Sequence, residues 1–243
     1  MTVVEGVEEV SFPSGSGRPM RGAFAPPPPG SEPRPGVIVI HEIFGLNTDL
    51  RQKVKQVAAM GYAAMAPDLY DTGGPRLLCV AKTMRTLTRG SGGAFDDLEG
   101  ARQWLAAQPG VDGSRMGAIG FCLGGGFALL FAAKARLGAS AVFYGAVPKE
   151  RDQIEGVCPV VGSYGGRDRV FRSQAPRLER FLSEMAVPHD VKIYPQAGHS
   201  FMSDHRGVAA KLSAWGPMKV GFDARAAEDS WSRVRSFFGE HLG

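Results

Sequence analysis

The sequence predicts a three-layer α/β fold: a mostly parallel central sheet covered by helices on both faces, led by a short N-terminal antiparallel hairpin. Two observations carry this. Short apolar runs alternate with helical patterns across two hundred residues, which is the signature of a parallel sheet. Several of those runs, "GVIVIHE" foremost, are apolar without polar alternation, as strands buried on both faces must be. With 243 residues the chain can bury a substantial core, and it reads as one domain over 1–243, with no internal repeat.

In chain order, residues 7–25 alternate weakly and break at "PSGSGRP", which predicts the hairpin. The proline-rich 25–36, "APPPPGSEPRPG", reads as a surface connector between strands. The strand "GVIVIHE" follows, then a helix from about Asn47 to Met60 with Asn47 or Thr48 as N-cap. "GYAAMAPDLY" is a second short buried strand. Residues 71–93 are glycine-punctuated, with a helical patch at 76–88, and read as a segment over the cleft. "FDDLEGARQWLAA" is an amphipathic helix stopped by "QPG". Then come the strand "RMGAIGF", a helix over 123–136, and the strands "ASAVFYG" and "CPVVGSYG". A helix near 173–186, the strand "DVKIYP", a second cleft-covering stretch at 200–221 and a final helix at about 223–239 complete the chain.

Composition removes several function classes. The formal charge of +4 is spread along the chain with no basic stripe, so no nucleic-acid partner is expected. No window approaches a membrane span, and "MTVVEGVEEV" lacks the features of a signal peptide. Cys79, Cys122 and Cys158 are odd in number and without CxxC spacing. That fits a reducing, cytoplasmic location better than a disulfide framework or a cysteine zinc site. "HEIFG" has half of a zinc-protease motif but lacks the second histidine, so no metal is expected.

The chemistry-bearing stretch is "AIGFCLGGGFALL", 118–130. Gly120-Phe121-Cys122-Leu123-Gly124 has the form of a nucleophile elbow with cysteine in the usual serine position. Glycines permit a sharp strand-to-helix turn, and the helix N-terminus beyond it favours a thiolate. Alone, the motif fits a packing turn with a buried cysteine equally well. The partners change the balance: Asp168 follows the strand "CPVVGSYG", and His199 follows "DVKIYP". Nucleophile, acid, histidine is the chain order of α/β-hydrolase triads, each group at its own strand end. His199 would take the Cys122 proton, and Asp168 would orient and stabilise the imidazolium. The backbone N–H groups of Leu123 and Ile43 are the expected oxyanion donors.

These residues resemble the dienelactone hydrolase family of carboxymethylenebutenolidase-like α/β hydrolases. The matching pieces are "HEIFGLN" at 41–47, "PDLY" at 67–70, "GFCLGG" at 120–125, "FYG" at 143–145, "GGRD" at 165–168 and "AGHSF" at 197–201. The resemblance implies an α/β-hydrolase fold and gives Glu42 a role, because in the family this glutamate contacts the resting thiol. Electrostatics agrees: a carboxylate near Cys122 disfavours the thiolate, so displacing Glu42 would switch the nucleophile on. It also implies arginines for the substrate carboxylate, for which Arg85 and Arg206 are the candidates. Tyr144 and Phe201 complete the candidate pocket, although a core tyrosine is an equal reading of Tyr144. The four positions after His199 are Ser200, Phe201, Met202 and Ser203, where the family has an arginine nearby. "RVFR" after Asp168 lacks the family's usual proline.

The expected activity is therefore hydrolysis of a small-molecule ester or lactone through an acyl-enzyme. No metal or organic cofactor is implied, and the chain is expected as a monomer or weak homo-oligomer. Two alternatives stay open: a ligand-binding or redox-sensing protein using Cys122 as an oxidisable thiol, and a thioesterase or peptidase on the same triad.

Overall fold

The computed structural model describes residues 4–30, 32–204 and 215–243. Its centre is an eight-stranded sheet: β1 (Glu8–Pro13), β2 (Pro19–Ala25), β3 (Arg34–Ile40), β4 (Ala63–Pro67), β5 (Val111–Phe121), β6 (Ala139–Phe143), β7 (Val160–Gly165) and β8 (His189–Tyr194). The spatial order is β1-β2-β4-β3-β5-β6-β7-β8. β1 and β2 form the expected hairpin, and β2 joins β4 antiparallel. Every pairing from β4 to β8 is parallel.

The central strands bury both faces because alternate residues of an apolar run point to opposite sides. Ile38 and Ile40 of β3 join the core under the helices α3 (Gly93–Ala106) and α4 (Leu123–Ala132). Val37 and Val39 join the opposite core, covered by α1 (Thr48–Ala59) and the C-terminal helix α6 (Ala224–Leu242). α5 (Gln174–Glu184) closes the first face over β7 and β8.

Local signals explain most boundaries. α1 starts at Asn47, whose side chain accepts the Leu50 N–H at 2.9 Å. α6 starts at Asp223, which accepts from the Ala226 N–H in the same way. Three of the boundaries that differ from the sequence reading have a clear local cause. β3 begins at Arg34, inside the proline-rich connector, where the Arg34 N–H finds the Gly110 carbonyl. α4 stops at Ala132, before 136, as the Lys134 and Ala135 N–H groups turn back to Phe131. The final helix continues to Leu242, whose side chain is buried against β5. The helical patch at 76–88 is α2 (Arg76–Arg89), ended by Gly90 in a left-handed conformation. Within 200–221, residues 205–214 lie outside the described residues.

No helix among the described residues is long and apolar enough to cross a membrane. They also contain no cluster of three metal-ligating side chains.

Candidate active site

The carboxyl ends of β3, β5, β7 and β8 converge on one cleft, as expected for an open parallel sheet. Cys122 stands between β5 and α4 at φ 53° and ψ −114°, a strained position for a residue with a side chain. Two glycines make that turn possible. A Cβ on Gly120 would lie 1.9 Å from the Gly124 carbonyl oxygen, and one on Gly124 would lie 2.2 Å from that of Ile40. The elbow is tied to β6 by a bond from the Cys122 N–H to the Phe143 carbonyl at 3.0 Å.

The three predicted side chains meet. The Cys122 sulfur lies 3.1 Å from His199 Nε2, and His199 Nδ1 lies 2.6 Å from Asp168 Oδ2. Asp168 is buried, and its second oxygen accepts the N–H groups of Val170 and Phe171 at 2.9 and 3.0 Å. The carboxylate is thereby held as an acceptor for the imidazole. The His199 ring sits between Tyr144 and Phe171, at centroid distances of 5.0 and 4.8 Å. Its backbone is clamped by residues 217–221: its N–H donates to Met218, and its carbonyl accepts from Gly221. The Arg169 N–H donates to Pro217, so one strap pins both the acid loop and the histidine loop.

Burial pushes the Cys122 thiol up to about 12, with the negative charge of Glu42 adding to it. The Leu123 N–H donates to the sulfur and works in the opposite direction. Glu42 is nearly buried, and its Oε1 accepts from the Tyr144 hydroxyl at 3.0 Å and the Ser203 hydroxyl at 2.9 Å. Ser203 in turn accepts from Lys53 Nζ at 3.0 Å, and Lys53 pairs with Asp49. This carboxylate is therefore built into a buried network.

Sequence reasoning missed His41, Ser203 and Lys53. His41 is fully buried, with Nε2 accepting the Leu69 N–H at 3.1 Å. Nδ1 therefore carries the proton and donates to the Glu42 carbonyl at 2.7 Å. Burial lowers its pKa, in keeping with a neutral ring. That carbonyl shares a rigid peptide plane with the Ile43 N–H, so His41 orients an expected oxyanion donor. The available signal was a histidine directly at the end of an apolar strand run.

The cleft encloses about 750 Å³ and is lined by Cys122, Leu123, His199, Glu42 and Ile43 together with a mainly apolar wall. Three pocket expectations need correction. Tyr144 and Phe201 are completely buried and lie below the cleft, where Tyr144 holds Glu42 and Phe201 packs edge-on against Tyr144 at 5.3 Å. Arg85 is exposed and does not line the cleft, whereas Met84, Leu87 and Thr88 of α2 do. Arg206 lies outside the described residues. Trp215 and Phe222 are both largely exposed, and Phe222 borders a separate groove beside Trp231.

Comparisons with known proteins agree with this architecture. The residue pattern of the dienelactone hydrolase family matches residues 21–242. A protein of Escherichia coli K12, provisionally named carboxymethylenebutenolidase, is 30% identical over 96% of this chain and 86% of its own length. The crystal structure of a provisionally named dienelactone hydrolase from Klebsiella pneumoniae superposes with a TM-score of 0.80 at 28% identity, covering 96% of this chain and 98% of that one. A dienelactone hydrolase-like promiscuous phosphotriesterase, P91, from metagenomic libraries gives 0.78 at 27% identity, covering 98% of both chains. With the family pattern spanning nearly the whole chain, this protein belongs to the dienelactone hydrolase family and is a hydrolase of the ester-cleaving type.

Proposed function

We propose that the protein hydrolyses a small ester or lactone with Cys122 as nucleophile, His199 as general base and acid, and Asp168 as the group that orients His199. The observation carrying this is the continuous path from sulfur to imidazole to carboxylate, 3.1 and 2.6 Å, on the floor of an open cleft.

At rest the sulfur is a thiol. Substrate entering the cleft displaces the Glu42 carboxylate, which removes its charge from the sulfur's neighbourhood. His199 Nε2 then takes the thiol proton as sulfur attacks the carbonyl carbon. The imidazolium so formed is stabilised by Asp168. The N–H groups of Leu123 and Ile43 hold the developing oxyanion, and the Leu123 donor transfers from sulfur to oxygen in the process. His199 returns the proton to the leaving alkoxide, leaving a thioester on Cys122. It next deprotonates a water that attacks this thioester, and thiol and acid are restored. The raised thiol pKa weighs against the redox-sensor reading, because oxidation-prone sensors are low-pKa thiolates.

The test is hydrolysis of p-nitrophenyl acetate by the wild type and by Cys122→Ala. Activity should fall on the order of a thousandfold or more in the variant. Brief mixing of the wild type with substrate should also add one acyl group to the Cys122 peptide by mass spectrometry. Equal rates in the two proteins would overturn the proposal.

A further inference from the structure

We infer that His41 and Arg76 are positioning residues of the oxyanion hole, which hold the Glu42–Gly45 turn so that the Ile43 N–H faces the cleft. The inference rests on the hydrolase reading above and deepens it, because it names what fixes the second oxyanion donor. The two donors are supported differently. The Leu123 N–H opens α4 and takes its direction from the glycine-bounded elbow. The Ile43 N–H lies in a surface turn where Ile43 is 39% and Phe44 50% exposed, so packing on those side chains does little to hold it.

Hydrogen bonds on the inner side of the turn do hold it. The Gly45 N–H donates to the Glu42 carbonyl at 3.0 Å and closes the turn. The same carbonyl accepts from His41 Nδ1 at 2.7 Å. His41 is completely buried and ties two strand ends together: it stands directly past β3, and its Nε2 accepts from the Leu69 N–H just past β4. In a trans peptide the carbonyl and the next N–H point in opposite directions, and no peptide bond among the described residues is cis. A Glu42 carbonyl drawn inwards to His41 therefore turns the Ile43 N–H outwards, to the cleft that Ile43 and Cys122 both line. Arg76, the first residue of α2, holds the peptide plane between Phe44 and Gly45 by donating to the Phe44 carbonyl. The Tyr70 ring packs against both supports, with centroid distances of 4.7 Å to the His41 ring and 5.6 Å to the guanidinium. Gly45 makes room for them: it sits at φ 74°, and a Cβ there would lie 3.0 Å from the Tyr70 ring and 3.1 Å from the guanidinium.

The experiment compares His41→Leu with His41→Asn. The two side chains have similar shapes and both lose the Leu69 bond, but only asparagine keeps an N–H donor near the place of Nδ1. Deleting an oxyanion donor costs about 10²- to 10³-fold, and a misdirected donor costs part of that. For p-nitrophenyl acetate, kcat/KM should therefore fall at least about tenfold in His41→Leu and recover at least about threefold in His41→Asn. Arg76→Met, a change at an exposed position that serves if His41→Leu does not fold, should lose at least about threefold, and Arg76→Lys should regain it. Alkylation of Cys122 by iodoacetamide separates this from damage to the triad, because displacement of iodide by sulfur forms no oxyanion. That rate should stay within about threefold of wild type in all four variants. Equal falls in hydrolysis and alkylation would overturn the inference, as would wild-type hydrolysis by His41→Leu. Wild-type hydrolysis by Arg76→Met would overturn the part given to Arg76.

A second readout does not depend on turnover. The Cys122 sulfur adds to the carbonyl carbon of trifluoroacetone, the thiol proton passes to His199, and the carbonyl oxygen becomes an oxyanion in the hole. The dissociation constant of this adduct is read by fluorine NMR, with Cys122→Ala as the background. It should rise at least about tenfold in His41→Leu, and an unchanged constant would overturn the inference. If the adduct forms but no ester is turned over through Cys122, the hydrolase reading fails while the adduct constants still decide the role of His41. Absence of both turnover and adduct in the wild type would overturn both.

Discussion

A thiol pushed up to about 12 is protonated at neutral pH, so the resting Cys122 is a poor nucleophile despite its place at a helix N-terminus. Burial and the Glu42 charge outweigh the Leu123 N–H bond. Glu42→Gln keeps the shape and an acceptor oxygen for Tyr144 and Ser203 but removes the charge. Its Cys122 should therefore be more acidic and should alkylate faster than wild type at pH 8, by about tenfold for one pKa unit. A rate-against-pH profile with iodoacetamide reads this directly, and an unchanged midpoint would show that Glu42 does not hold the thiol down. His41 acts one step further back. Its buried ring fixes the Glu42 carbonyl, and with it the direction of the Ile43 N–H.

At the scale of elements, β5, the elbow and α4 function as one part, because Gly124 lets α4 approach the end of β3 closely. Gly124→Ala would force the Ile40 carbonyl apart from a new Cβ at 2.2 Å, backbone against side chain. It should destabilise the protein by about 3 kcal/mol or more in denaturant unfolding. Gly126→Ala on the same helix meets the flexible end of Leu87 at 3.1 Å and the Ala146 carbonyl oxygen at 3.3 Å, both far milder than the approach at Gly124. There the gain in helix propensity, up to about 1 kcal/mol, offsets the crowding, so its effect should stay within about 1 kcal/mol of zero. Equal losses in the two variants would show that the Gly124 approach is not special. The elbow was legible because its glycines announce a turn that other residues cannot make. The 217–221 strap was not, because its bonds to Arg169 and His199 are backbone bonds that any side chain would permit.

For the whole molecule, the buried titratable groups set a pH window of stability. Burial lowers the His41 pKa from 6.5, so the folded state binds fewer protons than the unfolded state below that pH. Stability contributed by its neutral form is complete above 6.5 and is lost as pH falls. Cys122 and Cys158 behave oppositely: both are raised from 9.0 to about 12, chiefly by burial. Their neutral forms contribute fully below 9, and that contribution is lost as pH rises towards 12. The denaturation midpoint should thus be flat between about 6.5 and 9 and decline on both sides, each group contributing at most about 1.4 kcal/mol per pH unit. His41→Gln should flatten the first part of the acid limb, and an acid limb unchanged by that substitution would assign it to other groups.

The sequence by itself determined the layered fold and the three residues that meet at the cleft. Apolar runs without alternation demand burial on both faces, and a glycine-bounded cysteine, an aspartate and a histidine each follow a different strand. Parallel strands deliver such residues to one edge, so their convergence is a consequence of chain direction. Tertiary structure alone decided what surrounds them. Arg85 is exposed and does not line the cleft, whereas its α2 neighbours Met84, Leu87 and Thr88 do. Tyr144 and Phe201 lie beneath the cleft instead of lining it, and Lys53 joins the Glu42 network through Ser203, 150 residues away in sequence. Those outcomes depend on side-chain packing between distant segments, for which local pattern carries no signal.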